Sequence, residues 1–427
     1  MIRTFTIIGG GSAYAPGLCN ALIQNHEQLR LEEVRLHDID GRRLEIVQRL
    51  CERLARHRGL PLKISATMEL VEAVRGSDAV LNSSRPGGLA SRRLDETLPL
   101  EFGTPGQETV GAGGFLFALR SVPAALKLHA VVQQHAPNAV LLNYTNPTNI
   151  VTQALSGRPG PQVLGLCDQS DEDLADLAGA LGKRGASPAF RCVGLNHASW
   201  YSEVTLGGEP LELPAAPLVA PAGLDEEHRL RFAMAEELAR RYPGYWPNSY
   251  LPYYEWPARF VEHSLRSGPR SDVIASTLDD YYRHFEAVAR SAEPRLERSR
   301  GSSSFGDLAL RTLTALGRDQ PTALVLNVVN YGASPLFAAD TVVEAVVEVS
   351  RHGIVRRPCP SPPVAERRRL LRLERYQRQA ALAAAGNDFA LACAALAENP
   401  LVDDLGRATA LLEQARKIYA GHIALLS

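Results

Sequence analysis

Two strand-like runs near the middle of this chain end on residue types that bind metals. Val163-Leu164-Gly165-Leu166 runs into Cys167-Asp168, and Cys192-Val193-Gly194-Leu195 runs into Asn196-His197. A thiolate and an imidazole suit a divalent transition metal, and two protein ligands leave coordination positions for substrate hydroxyls. The competing assignment makes Cys167 a buried core residue and His197 a satisfied polar one, and spacing alone favours it.

A second chemical signal is the run Gly9-Gly10-Gly11-Ser12, which follows a β-branched segment and precedes a helical stretch opened by Pro16. A dinucleotide pyrophosphate needs backbone N–H groups at a helix N-terminus and glycines that allow close approach. The spacing differs from GxGxxG, so a plain turn is the alternative, and the position inside an N-terminal βαβ unit favours the nucleotide. Asp38, at the tip of the next strand, is suited to accept ribose hydroxyls and select NAD over NADP; a helix cap is its other assignment. The segment 143–149 (Asn-Tyr-Thr-Asn-Pro-Thr-Asn) is dense in hydrogen-bonding groups, as a sugar or nicotinamide site requires, and is equally consistent with a turn and an N-cap. Tyr250, Tyr253 and Tyr254 lie among Pro247, Pro252 and Pro257. Such aromatics ordinarily pack, and a phenol serves as a base only when its pKa is lowered, for example by a nearby metal.

Positioning these groups requires a scaffold. Segments 3–8, 33–36, 62–65, 79–82 and 139–142 read as strands separated by helical stretches, including a long one over 115–135. That alternation predicts right-handed crossovers and an α/β fold: an N-terminal Rossmann-like, doubly wound parallel sheet, followed by a mixed α+β C-terminal domain in the arrangement of lactate and malate dehydrogenases. The predicted boundary divides a NAD-binding domain, 1–170, from a substrate- and metal-binding domain, 171–427. In the latter, a hairpin is expected at Gly207-Gly208, with helices over 225–241 and 279–292. The Pro-rich, basic stretch 356–372 reads as a connection into closing alanine-rich helices.

Composition limits the partners. The chain has 427 residues, 45% of them hydrophobic, with 46 basic and 47 acidic side chains. It is large enough for two domains, and it has no basic footprint for nucleic acid or a membrane surface, which leaves a small molecule as the expected partner. No run reads as membrane-spanning, the N-terminus has no signal-peptide pattern, and the six scattered cysteines do not suggest disulfides; a cytoplasmic location is expected.

Taken together, these segments resemble family 4 of the glycoside hydrolases, NAD- and metal-dependent glycosidases outside the two-carboxylate mechanism. The resemblance rests on Ile8-Gly9-Gly10-Gly11-Ser12-Ala13-Tyr14, Arg85-Pro86-Gly87-Gly88-Leu89, Arg92 with Asp95-Glu96, and Gly106-Gln107-Glu108-Thr109-Val110-Gly111. It continues through Tyr144-Thr145-Asn146-Pro147, Gly165-Leu166-Cys167-Asp168, Gly194-Leu195-Asn196-His197 and Asn248-Ser249-Tyr250-Leu251. It implies NAD on the glycine turn, a divalent metal, usually Mn2+, on Cys167 and His197, and Tyr250 as the base that removes the C2 proton. It further implies Asp168 in the place of the general acid of α-specific members, where β-specific ones commonly have Asn, which leaves the α-anomer open, and a sugar pocket that includes Arg92, Asn146 and Asn196. The implied reaction oxidises C3 with NAD, deprotonates C2, eliminates the aglycone, adds water and returns the hydride.

The expected substrate is a 6-phospho-glucoside, the β-anomer favoured, and relatives are commonly dimers or tetramers. Gly268-Pro269-Arg270-Ser271-Asp272-Val273 departs from the Thr-Arg-Ala-x-Glu-Val of phospho-sugar members, whose arginine helps hold the phosphate; Arg270 lies one position away. The remaining readings are a relative for unphosphorylated hexosides or uronides, a 2-hydroxy-acid dehydrogenase, and a catalytically dead NAD sensor.

Overall fold

A computed structural model describes residues 2–300, 306–419 and 423. Strands β1 (Thr4–Ile8), β2 (Glu33–His37), β3 (Lys63–Thr67), β4 (Ala79–Asn82), β5 (Val140–Asn143) and β6 (Gln162–Gly165) pair in parallel in the order β3-β2-β1-β4-β5-β6. This is the doubly wound order, whose ligand crevice opens beyond the strand carboxyl ends where β1 meets β4. The inner strands β1, β4 and β5 are short and largely apolar because both faces are covered. Phe5, Ile7, Leu81 and Leu164 enter one core, while Ile8, Val80 and Leu141 enter the other.

The second half adds strands of two kinds. β7 (Pro188–Leu195) and β8 (Ala198–Leu206) form an antiparallel hairpin, β9 (Glu209–Pro210) returns on β8 through Gly207-Gly208 as the sequence predicts, and β9 and β10 (Tyr245–Pro247) both pair with the edge of β8 opposite β7. β11 (Thr322–Val329), β12 (Val342–Ser350) and β13 (Gly353–Arg356) extend the first sheet to nine strands, β11 meeting β6 antiparallel. The central sheet thus takes strands from both sides of residue 170, and the crevice is built by both halves of the chain.

Three local expectations change. The helix expected from 279 starts at Arg270, directly after Pro269, and its exposed first turns conceal the apolar period. The connection expected over 356–372 is irregular only to Pro363; Val364–Glu366 is a 3-10 turn and the helix Arg367–Gly386 follows, burying Leu370, Leu373 and Tyr376. The helix Gly111–His135 has the length and apolarity to cross a membrane, contrary to the reading that no run has them. It is a core helix here, and its Arg120 is ion-paired with the fully buried Asp95.

Candidate active site

The glycine turn leaves β1 with no room for side chains. Gly9, at φ +90°, would bring a Cβ to 2.9 Å from the Ser83 carbonyl oxygen, and a Cβ on Gly10 would meet that of Leu36 at 2.8 Å. The Gly9 and Gly10 N–H groups donate to the His37 carbonyl at 2.9 and 2.8 Å, which ties the turn to the end of β2. Asp38 accepts from Gly11 N at 2.9 Å and from Asp40 N at 3.1 Å. Capping of the following helix falls to Asp40, which accepts from Arg43 N, so the helix-cap assignment does not apply to Asp38. Ser12 Oγ is buried with no hydrogen-bond partner among the described residues. An orphaned hydroxyl beside a cradle that any Cβ would fill fits a bound phosphate.

Cys167 and His197 come together. Cys167 follows β6 of the large sheet, and His197 sits in the two-residue turn between β7 and β8 at φ +62°; Cys167 Sγ lies 3.4 Å from His197 Nε2. Ligands about 2.3 Å (S) and 2.1 Å (N) from one ion stand about 3.4 Å apart when they subtend an angle somewhat above a right angle, so the pair fits a shared cation. Burial and then Arg231 lower the His197 pKa to about 3, leaving the neutral imidazole that a metal requires. Burial raises the Cys167 thiol well above its ordinary value, with Glu344 adding to the effect, so its thiolate needs a cation beside it. Among the described residues, no group of three or more His, Cys, Asp and Glu side chains forms a closed metal cage. Two protein ligands leave open positions, as a catalytic ion needs.

Tyr250 joins this pair from the start of the short helix Leu251–Glu255. Its ring stacks on His197 with centroids 4.1 Å apart and planes 12° apart, and the Arg231 guanidinium carbon lies 4.5 Å from the same centroid. Two groups that close cannot share one face, so the phenol is held between an imidazole and a cation. Burial raises Tyr250 to about 12 while Arg231 pulls it down. Asp168 accepts a hydrogen bond from Tyr144 Oη at 2.9 Å, and burial, opposed by that bond, lifts its carboxyl to about 7. A carboxyl tuned to that range is a competent proton donor at neutral pH.

The other predicted residues have other commitments. Arg92 is buried and ion-paired with Glu96 at 2.7 Å and Glu108 at 3.0 Å. Asn146 Oδ1 accepts from Thr148 N and Oγ1 at 3.3 and 3.2 Å, opening the helix Thr148–Leu155. Asn196 donates to Glu344 Oε1 at 2.9 Å, and its amide opposes the upward pull of burial on the Cys167 thiol. Arg270 turns to Asp225, 2.7 Å away, with about half of its side chain in solvent.

Four further side chains belong to the site. Arg85 pairs with Glu108, whose carboxyl stays at about 2 because Arg85 and Arg92 overcome the effect of burial. Arg300 donates its backbone N–H to the Ala13 carbonyl, lies over the Tyr14 ring at 4.6 Å, and feels Arg92, Arg85 and Glu108 electrostatically. Arg231 and Glu344 complete the set. Glu344 was visible as a carboxylate whose neighbours within Val342-Val343-Glu344-Ala345-Val346-Val347 are apolar. Arg300 left no comparable signal.

Residues 4–180 match the family described as Family 4 glycosyl hydrolase, and residues 192–402 match its C-terminal domain. The 6-phospho-alpha-glucosidase 1 of Lacticaseibacillus paracasei is 30% identical over 372 residues, 83% of each chain. A probable 6-phospho-beta-glucosidase of Bacillus subtilis is 28% identical over 97% of this chain and 96% of its own. The crystal structure of a 6-phospho-alpha-glucosidase from gut microorganisms, in complex with NAD and Mn2+, superposes with a TM-score of 0.90 over 99% of both chains at 25% identity. Two matched domains that together span most of the chain make it a member of glycosyl hydrolase family 4.

Proposed function

We propose that this chain hydrolyses 6-phospho-glucosides with NAD and a divalent metal, as a cytoplasmic homo-oligomer, a dimer or tetramer. The observation that carries the reading is the Cys167–His197 pair with Tyr250 stacked against it, beside a glycine cradle built for a dinucleotide. When bound, the nicotinamide supplies a reversible hydride acceptor for C3, and the ion, Mn2+ in the gut-microbial relative, supplies a Lewis acid for the neighbouring sugar oxygens.

The chain's own groups do the rest. Gly9, Gly10, Gly11 and Ser12 hold the pyrophosphate, and the Asp38 oxygens keep lone pairs for ribose hydroxyls. Tyr250 removes the C2 proton that C3 oxidation acidifies, and Asp168 protonates the glycosidic oxygen as it leaves. Departure by elimination depends less on anomeric geometry than a displacement does, so both anomers are cleaved at different rates, the β-anomer faster. The 2-hydroxy-acid dehydrogenase reading falls with the family assignment.

A 6-phosphate needs a cation that is not already neutralised. Arg92 faces two carboxylates and Arg270 faces Asp225, whereas Arg300 forms no carboxylate ion pair among the described residues. A guanidinium–phosphate contact contributes about 1.5–3 kcal/mol, or tenfold and more in affinity. The test is kcat/KM for p-nitrophenyl glucosides with and without the 6-phosphate. Wild type should favour the phosphorylated substrate at least tenfold, Arg300→Gln should lose most of that preference, and Arg270→Ala should keep it. Equal values in wild type would instead support an unphosphorylated hexoside or a uronide, the reading favoured by Arg270 being turned away to Asp225.

A further inference from the structure

Glu344 lies on β12, is about 1% exposed, and stands between the buried Val343 and Ala345. A buried carboxylate is costly, and an apolar side chain of similar volume is usually as stable or more so, so packing does not account for it. Its two oxygens make different contacts. Oε1 accepts from Asn196 Nδ2 at 2.9 Å and Oε2 accepts from Ser199 Oγ at 2.5 Å. These donors bracket His197, Asn196 in the β7–β8 turn before it and Ser199 on β8 after it.

The turn needs such a clamp. His197 occupies the left-handed region, which a β-carbon disfavours, and Gly194 at φ +147° closes the hairpin so tightly that a Cβ would sit 2.4 Å from the Ala198 carbonyl oxygen. Asn196 is the residue directly before His197, so the carboxylate holds the turn at the imidazole's own backbone. The Ser199 carbonyl further accepts from Asn248 N, at the root of the Tyr250 segment.

We infer that Glu344 is the positioning residue of the metal site: it fixes the turn that carries His197 and thereby keeps Nε2 within a shared coordination sphere with Cys167 Sγ. The inference rests on the metal reading proposed above. Groups that orient metal ligands from behind typically change metal affinity about 10–100-fold when removed.

The test titrates Mn2+ into NAD-saturated protein and reads free Mn2+ by its paramagnetic resonance signal, with NAD affinity measured separately. Glu344→Ala should weaken Mn2+ binding at least tenfold. Glu344→Gln, which keeps one acceptor, should fall between Glu344→Ala and wild type, and Ser199→Ala should lose several-fold; NAD affinity should stay within twofold throughout. Should Glu344→Ala fail to fold, the Gln and Ser199 variants carry the comparison. Mn2+ affinity within twofold of wild type in the folded Glu344 variants, or NAD affinity that falls in step with Mn2+ affinity, overturns the inference. A wild type that binds no Mn2+ at all overturns the metal reading and this inference with it.

Discussion

Tyr250→Phe is expected to bind NAD and a divalent metal as wild type does and to lose about 10²–10⁴-fold in kcat, the usual contribution of a positioned base. The substitution removes one oxygen and keeps the ring, so the stack on His197 and the contact with Arg231 persist. What disappears is the group that accepts the C2 proton. Burial leaves the Tyr250 phenol at about 12, so its basicity at neutral pH depends on positive charge around it: Arg231 on one face and, under the proposed function, a divalent ion bound at Cys167 and His197. The diagnostic is exchange of the substrate C2 proton with deuterated solvent, which should slow in proportion to kcat. Exchange as fast as in wild type would assign the base to another residue.

Asp168→Asn should separate substrates by their leaving groups. With a carboxyl near 7, the Asp168 proton is available at neutral pH and is lost as pH rises through that value, so the acid-assisted step weakens on the alkaline side. An alkoxide leaving group, such as the second sugar of a disaccharide, needs that proton, whereas p-nitrophenolate does not. The variant should therefore lose about 10²-fold or more on phosphorylated disaccharides and far less on p-nitrophenyl substrates. An equal loss on both would place Asp168 outside the proton transfer, as a partner that only orients Tyr144.

The N-terminal half was readable because its signals are local. A glycine turn between a β-branched run and a helix, and a strand ending in Asp38, report on themselves within a few residues. The Cys167–His197 pair was readable only as two similar strand ends: the residues sit in different sheets, and the 3.4 Å approach is a consequence of how β7 and β8 pack against the large sheet. Arg270 shows a limit of local reading, since a position next to a motif does not fix where a side chain points; the N-cap Asp225 is its partner. Arg231 and Arg300 were not legible at all. Each acts through a ring or a charge distant in sequence, Tyr250 for Arg231 and Glu108 for Arg300, and no spacing along the chain records that encounter. Glu344 was legible in principle, as a carboxylate flanked on both sides by Val and Ala, because a charge among apolar neighbours signals a partner across the core.

The most direct measurement follows a 6-phospho-glucoside through complete turnover by wild type in D2O, with NAD and Mn2+ present. Oxidation at C3 followed by proton abstraction at C2 predicts glucose 6-phosphate with deuterium at C2, no accumulating NADH, and no hydrolysis once nucleotide and metal are removed. Product that retains protium at C2, formed at full rate without NAD or metal, would contradict it.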